Sequence, residues 1–164
     1  LNGFEYKRPS SLNKIMFSGE VMPIKHLNAW RVQYPDAMFV NLYGPTEITC
    51  NCTYYIIDRE FGLDEKLPMG KPFANERVFL LDDEDKLVDA GRPGELGEIC
   101  VSGTAVTMGY LHNPEKTAAA FVQNPLIWKL YTAQVILVTI VKMVNFSSHQ
   151  ERTSRLSIWD TELS

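Results

Sequence analysis

At 164 residues, with 45% hydrophobic and 22% charged residues, the chain has the length and composition of one globular unit, which excludes an intrinsically disordered protein. Its net charge of -4 excludes the clustered Lys and Arg surface that nucleic acids and anionic lipids favour, so we expect neither a nucleic acid nor a membrane as partner. The chain does not begin with Met and shows no apolar signal segment, which indicates a truncated start and a cytoplasmic protein.

The cysteines and histidines lack the spacing of a metal site. Cys50, Cys52 and Cys100 do not form the paired C-x-x-C pattern that binds zinc, and the three histidines form no HExxH motif. We therefore expect reduced, partly buried thiols and no metal cage made of His.

The first elements in the chain are predicted to be a strand, a helix and a strand. The stretch KIMFSG, residues 14–19, is a short apolar run that ends on Gly, which is typical of a strand followed by a turn. After Pro35 comes AMFVNLYG, residues 37–44, a second strand. A crossover of this length joins parallel neighbours, so the sequence predicts a right-handed βαβ unit. Apolar residues between the strands recur at the spacing of a helix face: Ile24, Leu27, Trp30 and Tyr34.

Small residues and acids follow both predicted strands. The first strand runs into SGE, residues 18–20, and the second into YGPTE, residues 43–47. Ligands bind outside the carboxyl ends of strands in an open α/β sheet, so we expect both turns to face one crevice. An aromatic ring, exposed backbone, a hydroxyl and a carboxylate together suit a nucleotide with its magnesium ion. The alternative is a plain turn in which Thr46 caps the next segment and solvent surrounds Glu47.

Downstream, the sequence predicts a second, β-rich layer. CNCTYYIID, residues 50–58, favours a strand, LPMGKP, residues 67–72, is typical of a turn, and residues 77–103 are typical of successive antiparallel strands. We interpret the acids at 82–85 as a solvated hairpin turn and GRPG, residues 91–94, as a break. The expected fold class is therefore α/β, with a βαβ unit followed by this layer.

A last helix is predicted from Asn113 to about Val122. Asn113 is a favourable N-cap residue, Pro114 suits the first helical position, and Glu115 places an acid in the first turn.

The composition changes sharply after Pro125. Residues 126–164, called the tail below, contain neither Gly nor Pro. The run VILVTIV, residues 135–141, is too short to span a bilayer, and polar residues interrupt any longer apolar stretch around it. A membrane anchor is therefore disfavoured.

A set of motifs occurs in a fixed order along the chain: FSGEVMP (17–23), NLYGPTE (41–47), LPMGKP (67–72), PGELGEICVSG (93–103) and MGYLHNPEKTAAAFVQNP (108–125). Together they resemble the adenylate-forming enzyme superfamily, specifically the amino-acid adenylation domains of nonribosomal peptide synthetases, and D-alanine carrier-protein ligases look similar. The resemblance covers roughly Leu12 to Pro125. It implies that residues 1–125 are a partial AMP-binding domain, the distal part of the large subdomain, and that the tail is foreign to the family.

The activity that this resemblance implies has two steps. ATP and an amino acid give an acyl-adenylate, and the phosphopantetheine thiol of a peptidyl or acyl carrier protein then takes the acyl group. Thr46 and Glu47 would be the catalytic residues, with Glu47 holding magnesium and Tyr43 stacking on adenine. The nucleotide-binding residues would be Gly19, Glu20, Val21, Asn41, Tyr43, Gly44 and Thr46. The amino-acid pocket would be lined by Met16, Ser18, Leu42, Gly44, Cys50 and Asn51, which are medium-sized and mostly uncharged.

Parts of the family pattern do not occur in the sequence as written. These are the phosphate loop, the YRTGD strand whose Asp binds the ribose, and the catalytic Lys. We therefore expect the chain to be inactive alone. A stand-alone D-alanine or fatty-acyl ligase is an alternative within the class, and a non-catalytic domain that binds nucleotide or a carrier protein is an alternative outside it.

The tail is compatible with a shifted reading frame. Codons formed from the last base of each codon and the first two of the next give Gly at Met143-Val144 and at Trp159-Asp160, whatever the codon usage. The same shift makes residues 131–136 compatible with YRTGD and residues 150–163 with RKDFQIKHMGYRIE, which resembles the hinge of the family. We therefore expect that the tail is translated out of frame.

Overall fold

The computed structural model describes residues 3–84, 86–88, 97–122 and 140–143. Its elements in chain order are α1 (Gly3–Tyr6), β1 (Lys14–Phe17), α2 (Ile24–Gln33), β2 (Met38–Tyr43), a 3-10 helix (Thr46–Ile48), β3 (Thr53–Ile56), β4 (Lys71–Pro72), β5 (Glu76–Leu81), β6 (Leu87–Val88), β7 (Glu98–Gly103), α3 (Pro114–Ala120), β8 (Phe121–Val122) and β9 (Ile140–Met143).

The predicted βαβ unit is confirmed. β1 pairs with β2 in parallel, from Lys14 opposite Met38 to Phe17 opposite Asn41, and α2 is the crossover between them. The helix ends before Pro35 because a residue that precedes proline is disfavoured in the helical region. Tyr34 accordingly leaves that region, with φ -135° and ψ 67°, while its N–H still donates to Trp30 O at 3.0 Å.

The helix packs on the first sheet through a small apolar cluster. Ile24 and Leu27 of α2 are 4% and 1% exposed, and they pack with Phe39 of β2. Burying each such side chain contributes about 1.5–3 kcal/mol. Trp30, which the spacing places on the same face, is 37% exposed and packs edge-on against Phe4 with ring centroids 4.7 Å apart.

The first sheet has the strand order β1-β2-β3-β4, with β3 antiparallel to both of its neighbours. Side chains alternate between the faces of a sheet, so Phe39, Asn41 and Tyr43 share one face of β2, on which Phe39 packs against α2. Leu42 lies on the opposite face, together with Met16 of β1, which is opposite Val40 in the register. The strand residues predicted for the nucleotide, Asn41 and Tyr43, thus lie on the face opposite to that of Leu42, which was predicted for the amino acid.

The predicted β-rich layer is confirmed for β5, β6 and β7, which lie in a second sheet with the order β6-β5-β7-β9-β8. The strand predicted in residues 50–58 does not belong to this layer, because it is β3 and pairs with β2 in the first sheet. β5 and β7 pair along their full length, and Leu80, Ile99 and Val101 from these strands form a buried cluster with Ile48 and Cys52. This cluster joins the second sheet to the loop that follows β2.

The acidic hairpin is a turn held by one of its own carboxylates. Asp82 Oδ1 accepts hydrogen bonds at 2.9 Å from the backbone N–H groups of Glu84 and Lys86. Over the described residues, no group of three or more His, Cys, Asp or Glu side chains is arranged to hold a metal ion. The break predicted at residues 91–94 lies outside the described residues.

The last helix starts as predicted but ends earlier. Asn113 caps it, since its Oδ1 accepts from the N–H of Lys116 at 3.0 Å. The prediction that the helix continues to Val122 is wrong, because Phe121 and Val122 form β8 and pair with β9. The ring of Phe121 packs against the cluster around Ile48, so burial and strand pairing override helix periodicity at this end.

Most of the tail, including residues 135–139 of the apolar run, lies outside the described residues. Residues 140–143 form β9, which pairs antiparallel with β7 and β8. Among the described helices, none has the length and apolar character needed to cross a membrane.

Candidate functional site

The loop of residues 44–51 joins β2 to β3 and begins where Gly44 and Pro45 stop the strand. The backbone closes it, since the N–H of Cys52 donates to Tyr43 O at 2.8 Å. A side chain at position 44 has no room, because its Cβ would lie 2.6 Å from Asn51 Cα. Only glycine therefore lets the two ends of this loop approach so closely.

Ile48 fixes the loop from inside. It ends the 3-10 helix, it is fully buried, and it packs with Cys52 and Val101. Thr46 is exposed and Glu47 half-buried. The alternative in which Thr46 caps the next segment is not supported, because Pro45 occupies the N-cap position and no side chain makes a capping bond there.

The second half of the loop adopts backbone angles that residues other than glycine rarely take. Thr49 has φ 55° and Cys50 has φ 93°. Such conformations persist only where the surroundings enforce them, and they cluster at functional sites. Here Thr49 Oγ1 donates to Ala105 O at 2.8 Å, which ties the strained segment to the chain that follows β7.

That following chain, residues 104–110, also holds Glu47. The N–H of Thr107 donates to Glu47 O at 2.8 Å, and the hydroxyl of Tyr110 donates to Glu47 Oε1. The hydrogen bond to this carboxylate is the main cause that raises the pKa of Tyr110 to about 12. Sequence reasoning assigned Tyr110 no role, although the MGY signal that contains it was among the family motifs.

The residues predicted for the base lie at the end of β2. Tyr43 is half-buried against the Ile48 cluster, and this burial raises the pKa of its hydroxyl. Asn41 Nδ2 donates to Pro68 O at 2.8 Å, which fixes the orientation of the amide and assigns Oδ1 as its acceptor. A ring and an oriented acceptor on one face suit a base that carries an exocyclic amine.

Three of the residues predicted for the amino-acid pocket contact one another. The hydroxyl of Ser18, just beyond β1, donates to Asn51 Oδ1, and Asn51 Nδ2 donates to Cys50 Sγ at 3.4 Å. Met16 is 58% exposed on the same face as Leu42.

The turn after β1 is less closely joined to the rest. Gly19 has φ 92°, which allows the turn, and Glu20 and Val21 are exposed in it. Among the described contacts, Ser18 rather than Glu20 or Val21 is the residue that reaches the loop after β2.

The thiols near the site differ in environment. Cys50 is exposed beside Asn51, whereas Cys52 is buried under the loop. Burial, and next the nearby Glu76 carboxylate, raises the pKa of Cys52 to about 12. Cys52 is therefore a packing residue, whereas the exposed Cys50 accepts a hydrogen bond from Asn51, another residue predicted for the pocket.

Glu47 has the chemistry of a ligand for a hard divalent cation. Carboxylate oxygens are the donors that magnesium prefers, and the adjacent Thr46 hydroxyl is exposed for a phosphate oxygen. Tyr110 engages Oε1, which leaves Oε2 as the oxygen that would meet a cation. The residues present therefore fit a magnesium ion that takes one of its ligands, Glu47, from this part of the protein.

Comparison with known proteins relates this loop and its two sheets to a family of enzymes. Tyrocidine synthase 3 of Brevibacillus parabrevis is 41% identical over 115 residues, which are 70% of this chain and 2% of the synthase. The D-alanine-D-alanyl carrier protein ligase of Streptococcus pneumoniae is 38% identical over 120 residues, which are 72% of this chain and 22% of the ligase.

A solved structure shares the fold. It is the holo form of a nonribosomal peptide synthetase protein that contains adenylation and PCP domains, bound to a vinylsulfonamide inhibitor. It aligns with 81% of this chain, and 22% of its own chain, at a TM-score of 0.68 and 27% identity. The present chain thus spans less than a quarter of the length of these relatives.

The family profile described as AMP-binding enzyme matches residues 2–111, more than half of the chain. This match includes the loop after β2 and both sheets up to Tyr110. The chain therefore belongs to the AMP-binding enzyme family, and its fold is that of the distal part of an adenylation domain.

Proposed function

We propose that this chain is part of an ATP-dependent enzyme that activates an amino acid as its adenylate and then passes it to a carrier protein as a thioester. The observation that carries the proposal is the loop after β2. It places the aromatic ring of Tyr43, the hydroxyl of Thr46 and the carboxylate of Glu47 at the end of one strand.

In the first step an oxygen of the substrate carboxylate attacks the α-phosphorus of ATP, and pyrophosphate leaves. Tyr43 and Asn41 would hold the adenine, and Thr46 would donate to an oxygen of the α-phosphate. Glu47 would bind magnesium, which supplies positive charge against the phosphate oxygens when bound. Positioning and charge stabilisation are the main contributions that such a site makes to the rate.

In the second step the carrier thiol attacks the acyl carbon, and AMP leaves. The names of the relatives support a carrier protein as partner, because one is a carrier-protein ligase and another contains PCP domains. This chain alone is expected to be inactive, since the phosphate loop, the ribose-binding Asp and the catalytic Lys do not occur in it as written.

The amino-acid pocket would be lined by Met16, Ser18, Leu42, Cys50 and Asn51, with the Gly44 carbonyl near the α-amino group. None of these side chains is charged, so a charged substrate side chain would lose water without gaining a partner. We expect an uncharged amino acid of small or medium size as substrate.

Amino-acid-dependent exchange of pyrophosphate into ATP tests the function. The complete enzyme that carries this segment should exchange with at least one uncharged amino acid about tenfold faster than with Asp, Glu, Lys or Arg. Exchange with D-alanine alone would assign the carrier-ligase alternative. Nucleotide or carrier binding with no exchange for any amino or fatty acid would instead establish the non-catalytic alternative.

We infer that residues 126–164 are translated out of frame, because both forced glycines fall on glycines of the resembled family. The first lies in residues 142–146, which are compatible with NGEF, and the second in the hinge-like residues 150–163. Sequencing the coding DNA from the codon of Phe121 past the stop should reveal one inserted or deleted base, after which the frame reads YRTGD. An uninterrupted frame without that motif would contradict this and would favour the non-catalytic alternative.

A further inference from the structure

Tyr110 reaches Glu47 across 63 residues of sequence. Its hydroxyl donates to Glu47 Oε1, while Thr107, three residues earlier, donates its N–H to the carbonyl of the same residue. The side chain and the backbone of Glu47 are thus both bonded to residues 104–110. Neither contact involves the strand pairing that builds the two sheets.

Tyr110 is itself held by the start of α3. Its N–H donates to Thr117 Oγ1 at 2.9 Å, and that hydroxyl donates to Asn113 O at 2.8 Å. The ammonium group of Lys116 lies 4.5 Å from the centroid of the Tyr110 ring, and the ring of Phe121 packs edge-on against it at 5.8 Å. Contacts to the backbone N–H, to the ring face and to the ring edge therefore fix the position of the Tyr110 phenol.

The absence of a side chain at Gly109 leaves the room that the packing of Tyr110 against α3 requires. Gly109 has φ 123°, and a Cβ there would lie 2.4 Å from Thr117 Cγ2. A larger residue would move Tyr110 away from α3. In the sequence MGYLHNPEKT, the glycine and the capped helix thus together fix the position of the Tyr110 hydroxyl.

We propose that Tyr110 is a positioning residue that fixes the Glu47 carboxylate for its cation, and that α3 sets the position of Tyr110. The metal role of Glu47 rests on the function proposed above. Hydrogen bonds to a ligating carboxylate orient it, and loss of such an outer partner costs about 10-fold to 100-fold in metal affinity or activity. With Oε1 held, the rotamer freedom that Glu47 would lose on binding is already removed.

The test compares two substitutions of the same chemistry in the complete enzyme. Tyr110→Phe removes the hydroxyl that faces Glu47. Tyr55→Phe is the matched control, because its hydroxyl donates to a different carboxylate, Asp58 Oδ1, at 2.7 Å on an exposed surface. Mn²⁺ serves as the probe, with a non-hydrolysable ATP analogue bound, and the free ion is counted by its paramagnetic resonance signal without turnover.

We expect Tyr110→Phe to weaken Mn²⁺ binding about tenfold. Tyr55→Phe should leave it within about twofold, since exposed contacts of this kind contribute little. In pyrophosphate exchange, Tyr110→Phe should raise the magnesium concentration needed for half-maximal rate and leave the KM for the amino acid unchanged. A partly unfolded enzyme would lower the maximal rate and change neither of these two concentrations, so a shift in the magnesium dependence alone separates positioning from structural damage.

Glu47→Gln distinguishes the two ways in which the proposal can fail. If Glu47→Gln binds Mn²⁺ as tightly as the unsubstituted enzyme, the metal role of Glu47 is wrong and the proposal falls with it. If Glu47→Gln loses Mn²⁺ and Tyr110→Phe retains full affinity, the proposed function stands and only the role of Tyr110 is overturned.

Discussion

Replacing Glu47 with Gln is expected to lower amino-acid-dependent pyrophosphate exchange by the complete enzyme at least about 100-fold, the scale seen when one group that stabilises transition-state charge is removed. Gln keeps the length of the side chain, and the Thr107 bond to the backbone carbonyl does not depend on it. What is lost is the negative charge that attracts a divalent cation. The substitution should therefore lower the rate at saturating ATP and amino acid and leave the stability of the fold unchanged.

Glu65→Gln is the matched control for this substitution. Glu65 forms an exposed ion pair with Arg59, with the nitrogen and oxygen 3.0 Å apart, and it is not part of the loop after β2. Exchange by this variant should stay within about twofold of the unsubstituted enzyme, because exposed ion pairs contribute little. Equal activity of Glu47→Gln and Glu65→Gln would show that Glu47 is not a catalytic residue.

Replacing Gly44 with Ala is expected to destabilise the domain and to disrupt both halves of the site. The new Cβ would lie 2.6 Å from Asn51 Cα, 2.6 Å from Ile48 Cδ1 and 2.8 Å from Cys50 O. Two of these three atoms belong to the backbone. Movement of a side chain therefore does not relieve the clash, and the loop must open. Overpacking of this kind costs about 1–3 kcal/mol. Because Asn51 would line the proposed pocket and Thr46 would hold the phosphate, KM should rise for both the amino acid and ATP.

Gly62→Ala provides the comparison for this effect. The nearest atom to a Cβ at position 62 is Glu65 Oε2 at 3.5 Å, which is ordinary contact with the end of a side chain. Thermal unfolding and the two KM values of this variant should match those of the unsubstituted enzyme. A Gly44→Ala variant with unchanged stability and unchanged KM values would show that the loop does not need its close approach.

Local patterns were enough to predict the elements that lead to the site. The three-and-four spacing of Ile24 and Leu27 predicts α2, and the Gly44-Pro45 pair predicts where β2 stops. These features follow from nearest neighbours in sequence, where helix periodicity and the backbone preferences of Gly and Pro dominate.

The long-range contacts could not be predicted in this way. Nothing in the spacing between Glu47 and Tyr110 indicates that their side chains meet, because that contact depends on how the second sheet packs on Ile48. The end of α3 is missed for the same reason, since Phe121 leaves the helix to pair with β9. The order of the motifs identified the family. It did not reveal that Tyr110, in the last motif, contacts Glu47 in the second.

The strained backbone was also beyond sequence reasoning. Thr49 is β-branched and is disfavoured at positive φ, so its sequence gives no sign of the conformation it adopts. The bond from Thr49 to Ala105 accounts for it, and that bond again joins the loop to the chain after β7. The parts of the site that escaped prediction therefore share one cause, which is their dependence on residues 104–110.

We expect the loop after β2 to hold the base, the phosphate and the metal of an amino-acid adenylate. A crystal structure of the complete enzyme with a non-hydrolysable aminoacyl-adenylate analogue and magnesium tests this claim most directly. We predict that the adenine lies against the Tyr43 ring with its amine on Asn41 Oδ1, that Thr46 donates to the phosphate position, and that Glu47 Oε2 binds the ion. An analogue bound elsewhere, with this loop in contact only with solvent, would contradict the claim.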